Sequence, residues 1–164
     1  MQGREKIWPW VRFSAEEQKQ ALQNFKGKKF TIDHSDVIKD EHIHILGNAG
    51  TTGLSDKPGS ICTGQNSGYQ AIDIAVQAKA KKILLLGMDM KHINNKSHAH
   101  NGHEVTTNGS ELKEFAKNFN SMQIPLKERG IEVVNCSPDS AIECFRFSTV
   151  EIESLQLHPA PALV

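Results

Sequence analysis

No apolar run in this chain approaches the roughly 20 residues that a helix needs to cross a bilayer, and Met1 to Trp10 lacks the apolar core of a signal peptide. A cytoplasmic protein with no membrane partner is therefore expected. Net charge is missing too: 19 basic and 19 acidic side chains cancel, so no overall field draws the chain to nucleic acid or an anionic surface. Cysteine is scarce. Cys62, Cys136 and Cys144 are odd in number and follow no C-x-x-C spacing, which argues against a disulfide framework or a thiolate zinc site and leaves small buried or half-buried thiols. Aromatic residues make up only 6% of the chain, concentrated where Trp8 and Trp10 flank Pro9 beside Val11 and Phe13. Without interleaved basic residues this patch reads as an anchor for the first helix rather than a base-stacking platform. Internal repeats and low-complexity tracts are absent as well.

What is present fits one soluble domain with a modest core: 164 residues, 38% hydrophobic and 23% charged. Residues 1–157 are expected to form it, with 158–164 as a flexible tail after His158-Pro-Ala-Pro161. Helical 3.6-residue patterns alternate with short β-branched or leucine-rich runs, the signature of an α/β protein. Ser14 and Glu17 make a capping box for a helix reaching about Phe25, stopped by Gly27. Lys29 to Ile32 and His42 to Leu46 read as strands, although Asp33 to Gly59 is polar and broken by glycine and proline. Gly68 to Ala80 carries one apolar stripe, Tyr69, Ile72, Ala75, Val76 and Ala80. Ile83 to Leu86 is continuously apolar, which predicts a parallel strand covered on both faces. Ser110 is expected to cap a helix whose stripe is Leu112, Phe115, Ala116, Phe119 and Met122, with a bend at Pro125. Ile131 to Val134 gives another buried strand, and Thr149 to Leu155 a short helix.

The densest information lies between Ser60 and Met90. A short apolar run, Ser60-Ile-Cys62, enters the turn Thr63-Gly-Gln-Asn-Ser-Gly68, followed by the helix and by the strand Lys82-Ile-Leu-Leu-Leu-Gly-Met-Asp-Met90. A helix that begins near Ser67 leaves its first amides without internal partners, and these can face an anion. Gly64 and Gly68 allow close approach, while Asn66 and Ser67 cap the helix or add donors. Asp89 follows Gly68 by 21 residues, near the spacing at which dinucleotide folds place a ribose-binding acid. Gly64-x-x-x-Gly68 departs from G-x-G-x-x-G, so an NAD dehydrogenase site is not expected.

Beyond Met90 the chain is polar from Lys91 to Gly109. Ser97-His-Ala-His-Asn-Gly-His103 brings three imidazoles to the carboxyl side of the preceding strand, where open α/β sheets bind ligands. His98, His100 or His103 could act as general base or acid near neutral pH. Alternatively, these histidines with Asp89 or Glu104 could hold a divalent metal, although their spacing matches no established metal pattern.

Asn66-Ser-Gly-Tyr-Gln-Ala-Ile and Ala80-Lys-Lys-Ile-Leu-Leu-Leu-Gly-Met-Asp-Met90 resemble a module of phage-encoded proteins of unassigned activity. The same module is similar to bacterial CMP-sialic-acid-dependent sialyltransferases and archaeal pterin diphosphokinase-like proteins. Ser97-His-Ala-His-Asn-Gly-His and Gly130-Ile-Glu-Val-Val-Asn-Cys-Ser137 fit the phage group best, and the likeness runs from about Gly53 to Leu155. It implies a Rossmann-like three-layer sandwich with a mainly parallel sheet, with Asn66, Ser67 and Gly68 at the phosphate or ribose of a nucleotide or nucleotide sugar; Gly64 and Asp89 join the candidate site from the reading of the turn and the strand above. It further implies glycosyl transfer with His98, His100 or His103 as base. Pyrophosphoryl transfer or metal-dependent phosphoester hydrolysis, with a divalent ion, is one alternative, and nucleotide binding without catalysis is another. Self-association stays open. Such families open with a strand and a Gly-x-Gly-Pro-Ser-type turn that this chain lacks, so the expectation includes a sheet short of its first strand.

Overall fold

The computed structural model describes residue 20 and residues 24–32, 43–93 and 108–157. The first capping box, the Trp8 to Phe13 patch, the histidines at 98, 100 and 103, and the tail lie outside these residues. Within them the chain is a mixed α/β fold. In chain order it forms β1 (Lys29–Thr31), β2 (Ile43–Ile45), β3 (Gly47–Gly50), β4 (Ser60–Cys62), α1 (Ser67–Gln77) and β5 (Lys82–Leu85). Then come α2 (Gly109–Asn118), a 3-10 turn (Phe119–Met122), α3 (Gln123–Glu128), β6 (Glu132–Asn135), β7 (Arg146–Phe147) and α4 (Val150–Leu157). Among the described residues no helix is long and apolar enough to cross a membrane.

Every strand pairing described is parallel: β1 with β2, β3 with β4, and β5-β6-β7 in that order. Only Leu46 separates β2 from β3. Its amide reaches back to the Thr31 carbonyl at 2.7 Å, while the next amide, Gly47, turns to the Gly59 carbonyl at 2.8 Å. One extended segment thus pairs its first half with β1 and its second half with β4. The outer edge of β4 meets no strand among the described residues; helix side chains take its polar groups instead. Gln77 donates to the Ser60 carbonyl at 2.5 Å, and the Cys62 amide donates to Asp73 Oδ2 at 2.8 Å. The same oxygen accepts from Ser55 at 3.1 Å. Asp73 is fully buried, so these bonds satisfy backbone groups that would be costly to leave unpaired.

The core lies between α1, the α2–α3 segment and the β5-β6 strands. It contains Tyr69, Ile72, Val76, Leu85, Ala116, Phe119, Met122, Leu126 and Val133. Tyr69 and Phe119 pack at 5.4 Å between ring centroids, and Phe119 meets Phe145 edge-on at 6.4 Å and 88°. Such aromatic pairs add about 0.5–1.5 kcal/mol each beyond simple burial.

The structure corrects several sequence-based expectations. β5 ends at Leu85, not Met90, because Gly87 adopts φ 66° and turns the chain. Leu86, expected to be covered on both faces, is 59% exposed. Asp89 therefore sits in the exit loop and does not close the strand. α2 is capped by Asn108, not Ser110: Asn108 Oδ1 accepts the Glu111 amide at 2.9 Å, and the Glu111 carboxylate accepts the Asn108 amide at 3.1 Å. This reciprocal pair satisfies two orphan donors, whereas a Ser110 cap would satisfy one. The helix runs into the 3-10 turn before Pro125, which sits in the first turn of α3, where a missing amide costs nothing.

At the amino-terminal ends of β5, β6 and β7, an ionic cluster ties α4 to the sheet. Fully buried Glu153 pairs with Lys82 and accepts from Arg146 at 2.9 Å, while Glu132 pairs with Lys82 at 3.3 Å and Arg146 at 2.6 Å. The bonds from Arg146 and Lys82 hold the Glu153 carboxyl down to about 2, against an ordinary 4.5. Because the folded value lies below the unfolded one, this contribution to stability is complete above about pH 5 and is lost as pH falls toward 2. Thermal midpoints between pH 5 and 2 should fall, and Glu153→Gln, which cannot titrate, should fall less steeply over that window. Parallel curves for the two proteins would refute the assignment.

Candidate functional site

The turn after β4 is built by backbone bonds that leave a small set of amides unused. Thr63 and Gly64 donate to the Gly50 and Thr51 carbonyls at 2.9 and 2.8 Å, and Asn66 donates to Thr63 at 3.2 Å. Asn66 is the N-cap of α1: Oδ1 accepts the Tyr69 amide at 2.8 Å, and Nδ2 donates to the Gly64 carbonyl at 2.9 Å. Among the described residues, the amides of Gln65, Ser67 and Gly68 have no partner. They stand at the positive end of an 11-residue helix with no acidic residue in its first turn.

Gly64 and Gly68, alike in sequence terms, do different work. At Gly64 φ is 51°, and an added Cβ would lie 2.0 Å from Tyr69 Cγ. The tyrosine cannot retreat: it is fully buried, its hydroxyl donates to the Gly53 carbonyl at 2.8 Å, and it bonds Ser121 Oγ at 2.8 Å. Gly64 thus lets the turn lie flat on the core. At Gly68 the near neighbour is Met88 Cε, 2.3 Å from an added Cβ. This contact sets the start of α1 against the loop leaving β5.

That loop carries Asp89. Its carboxylate is half-buried and has no hydrogen-bond or ion-pair partner among the described residues. The backbone around it is held tightly: Met88 donates to Ser137 Oγ at 3.0 Å, its carbonyl accepts from Ser140 Oγ at 2.6 Å, and the Asp89 carbonyl accepts from Ala141 at 2.7 Å. On one side of the site Gln65 has φ 61°, and on the other Met90 has φ 49°. Left-handed non-glycine residues cost energy and collect at ligand-binding positions. The Met88 side chain thus links two segments that are distant in sequence, 63–68 with its unpartnered amides and 88–90 with its unpartnered carboxylate.

Asn118 Nδ2, at the end of α2, reaches the Gly64 carbonyl at 2.9 Å, and Ser121 Oγ, in the 3-10 turn, receives the Gly53 amide at 2.9 Å. Sequence reasoning missed Asn118, Ser121, Ser137 and Ser140. Each acts through an amide or hydroxyl bonded to backbone, which leaves no periodicity or motif.

The thiols are unsuited to nucleophilic chemistry. Burial, reinforced by Asp73, pushes the Cys62 thiol up, and burial takes Cys144 to about 11, so both stay protonated near neutral pH. All three cysteines are free. Among the described residues no group of three His, Cys, Asp or Glu side chains gathers to hold a metal. A groove of about 450 Å³ opens between α3 and the β6–β7 strands, bordered by Leu126, Ile131, Cys144 and Phe145; no residue of the glycine turn lines it.

No family model, curated protein or solved structure matches this chain. The protein's class is that of a mixed α/β fold with parallel strand pairs.

Proposed function

We propose that this protein binds a nucleotide or nucleotide sugar through the β4–α1 turn and the β5 exit loop, within a Rossmann-like three-layer arrangement. The observation that carries the reading is the pair of unpartnered amides at Ser67 and Gly68, against which the β5 exit loop packs through Met88, the neighbour of the unpartnered Asp89. Amides at a helix start suit a phosphate, and a carboxylate, which only accepts hydrogen bonds, suits sugar hydroxyls. Asn66 contributes by capping and shaping the turn, since both ends of its amide are engaged there. Gly64 contributes by permitting the turn's approach to Tyr69.

Glycosyl transfer from a nucleotide sugar is the reaction we favour, in keeping with the family resemblance. The turn amides would stabilise the phosphate leaving group, and His98, His100 or His103 would take the acceptor proton. Thermal-shift measurements with CMP, UDP, GDP, ATP and NAD, each with and without magnesium, manganese or zinc, test the binding step. A ligand at about 100 times its Kd should stabilise the fold by about 2.7 kcal/mol, a shift of several degrees. No shift with any nucleotide at millimolar concentration would overturn the reading. Alanine at all three loop histidines should spare binding and abolish transfer; transfer that survives would move the base elsewhere.

A further inference from the structure

A strand edge exposes amides and carbonyls that invite another strand, and folded proteins guard such edges. Two edges of this fold are guarded. Asp73 and Gln77 seal the outer edge of β4, and β7, at the far side of its sheet, is only two residues long. β5 has no such protection. The Lys81 and Leu85 carbonyls accept from Glu132 and Cys136 at 3.0 and 2.9 Å, so residues 81, 83 and 85 turn their polar groups to β6 and residues 84 and 86 turn theirs to the other side. Among the described residues, the amides and carbonyls of Leu84 and Leu86 have no partner. Ile83 and Leu84 are half-buried and Leu86 is exposed, so the edge is apolar as well as bare. Lys82, the cation nearest to it, is turned to Glu132 and Glu153 within the sheet. Neither proline nor bulge interrupts residues 83–86.

We propose that residues 7–11 of this chain add to the edge of β5 as a further parallel strand. Outside the described residues the chain holds two apolar runs, Ile7-Trp-Pro-Trp-Val11 and Pro159-Ala-Pro-Ala-Leu-Val164. Prolines 159 and 161 leave only Ala162 to Val164 free to pair, which is shorter than β5. The first run suits the edge better. When the amides and carbonyls of Trp8 and Trp10 face Leu84, Pro9 faces away, where its missing donor is not needed. Trp8 and Trp10 then fall on one face and Ile7 and Val11 on the other, apolar on both sides, as a strand covered on both faces requires. Residues 12–28 separate the run from β1, more than the roughly one dozen that a parallel crossover needs, and every described pairing is parallel. The added strand covers the bare edge and buries the aromatic patch against the sheet. It is independent of the nucleotide reading.

Both tryptophans of the chain lie in this run, so intrinsic fluorescence of the full chain reads it directly. Emission should be blue-shifted from that of the urea-unfolded protein and shielded from iodide. Hydrogen exchange followed by NMR reads the pairing itself: the Leu84 and Leu86 amides should exchange at least about tenfold more slowly than in an unstructured peptide of the same sequence. Trp10→Pro removes the amide that bonds the Leu84 carbonyl, and should speed exchange at Leu84 and Leu86 by about tenfold. The Ile83 and Leu85 amides, which face β6, should keep their protection. That contrast separates loss of the added strand from loss of the fold. Val11→Asp, read in the same way, replaces Trp10→Pro if the proline variant does not fold. Tryptophans fully open to iodide, or Leu84 and Leu86 amides that exchange at the peptide rate, overturn the proposal, as does protection unchanged in the variants. Protection that falls on dilution would give the edge to a second copy of the chain. Protection of the edge with both tryptophans open would give it to residues 159–164, and either outcome also overturns the proposal.

Discussion

Gly64→Ala should destabilise the protein by roughly 2–5 kcal/mol, read as a drop of about 5–15 °C in thermal midpoint. Two penalties combine. The left-handed φ of 51° disfavours any residue with a Cβ, and the new atom would lie 2.0 Å from Cγ of a tyrosine that has nowhere to go. Tyr69 is fixed by its hydroxyl partners Gly53 and Ser121 and by Phe119 against its ring. Relief would have to come from the turn itself, which would lose the Asn66 and Asn118 bonds to the Gly64 carbonyl. A midpoint within about 2 °C of the wild type, measured by calorimetry, would show that the turn can shift without cost.

Gly68→Leu should show the opposite pattern: stability within about 1 kcal/mol of the wild type, with nucleotide affinity reduced by at least about 30-fold. The backbone at Gly68 is ordinary helix, where leucine is intrinsically better than glycine. The clash at 2.3 Å is with Met88 Cε, the far end of a flexible side chain. What the substitution costs is access, because the isobutyl group covers the amides of Ser67 and Gly68. Titration of the best nucleotide from the thermal-shift series reads the effect; undiminished affinity in a folded Gly68→Leu protein would place the phosphate elsewhere.

The opposite outcomes expected at these glycines mark where the sequence was legible. The α1 stripe and the β4 run were readable because glycine punctuation and 3.6-residue spacing agree there. Tyr69, Ile72 and Val76 are buried as the spacing requires, while Ala80, at the end of the expected stripe, falls beyond the helix. β5 was placed correctly at its start and too long at its end: Leu-Leu-Leu-Gly-Met reads as one apolar run, but a single left-handed glycine breaks it. The α2 cap shifted by two residues because Asn108-Gly-Ser-Glu111 holds two capping residues, and only Asn108 has a glutamate at the reciprocal distance. The region from Asp33 to Gly59 was barely legible. Its strands are three and four residues long, and Gly47–Gly50 pairs through its backbone with almost no apolar side chain to announce it. Ser137 and Ser140 were hidden for the same reason, since hydroxyl-to-backbone bonds carry no hydrophobic period.

Helix α1 is a lever with a load at each end. Asp73 and Gln77 seal the outer edge of β4, and Ser67 and Gly68 begin the same helix. A rigid rod cannot tilt at one end alone, so opening the edge would swing the first-turn amides out of alignment. An anion seated on those amides would hold the edge shut in return. By that linkage, ligand would protect the protein from edge-to-edge aggregation as well as from heat. Solubility and recognition would then share a single mechanical part.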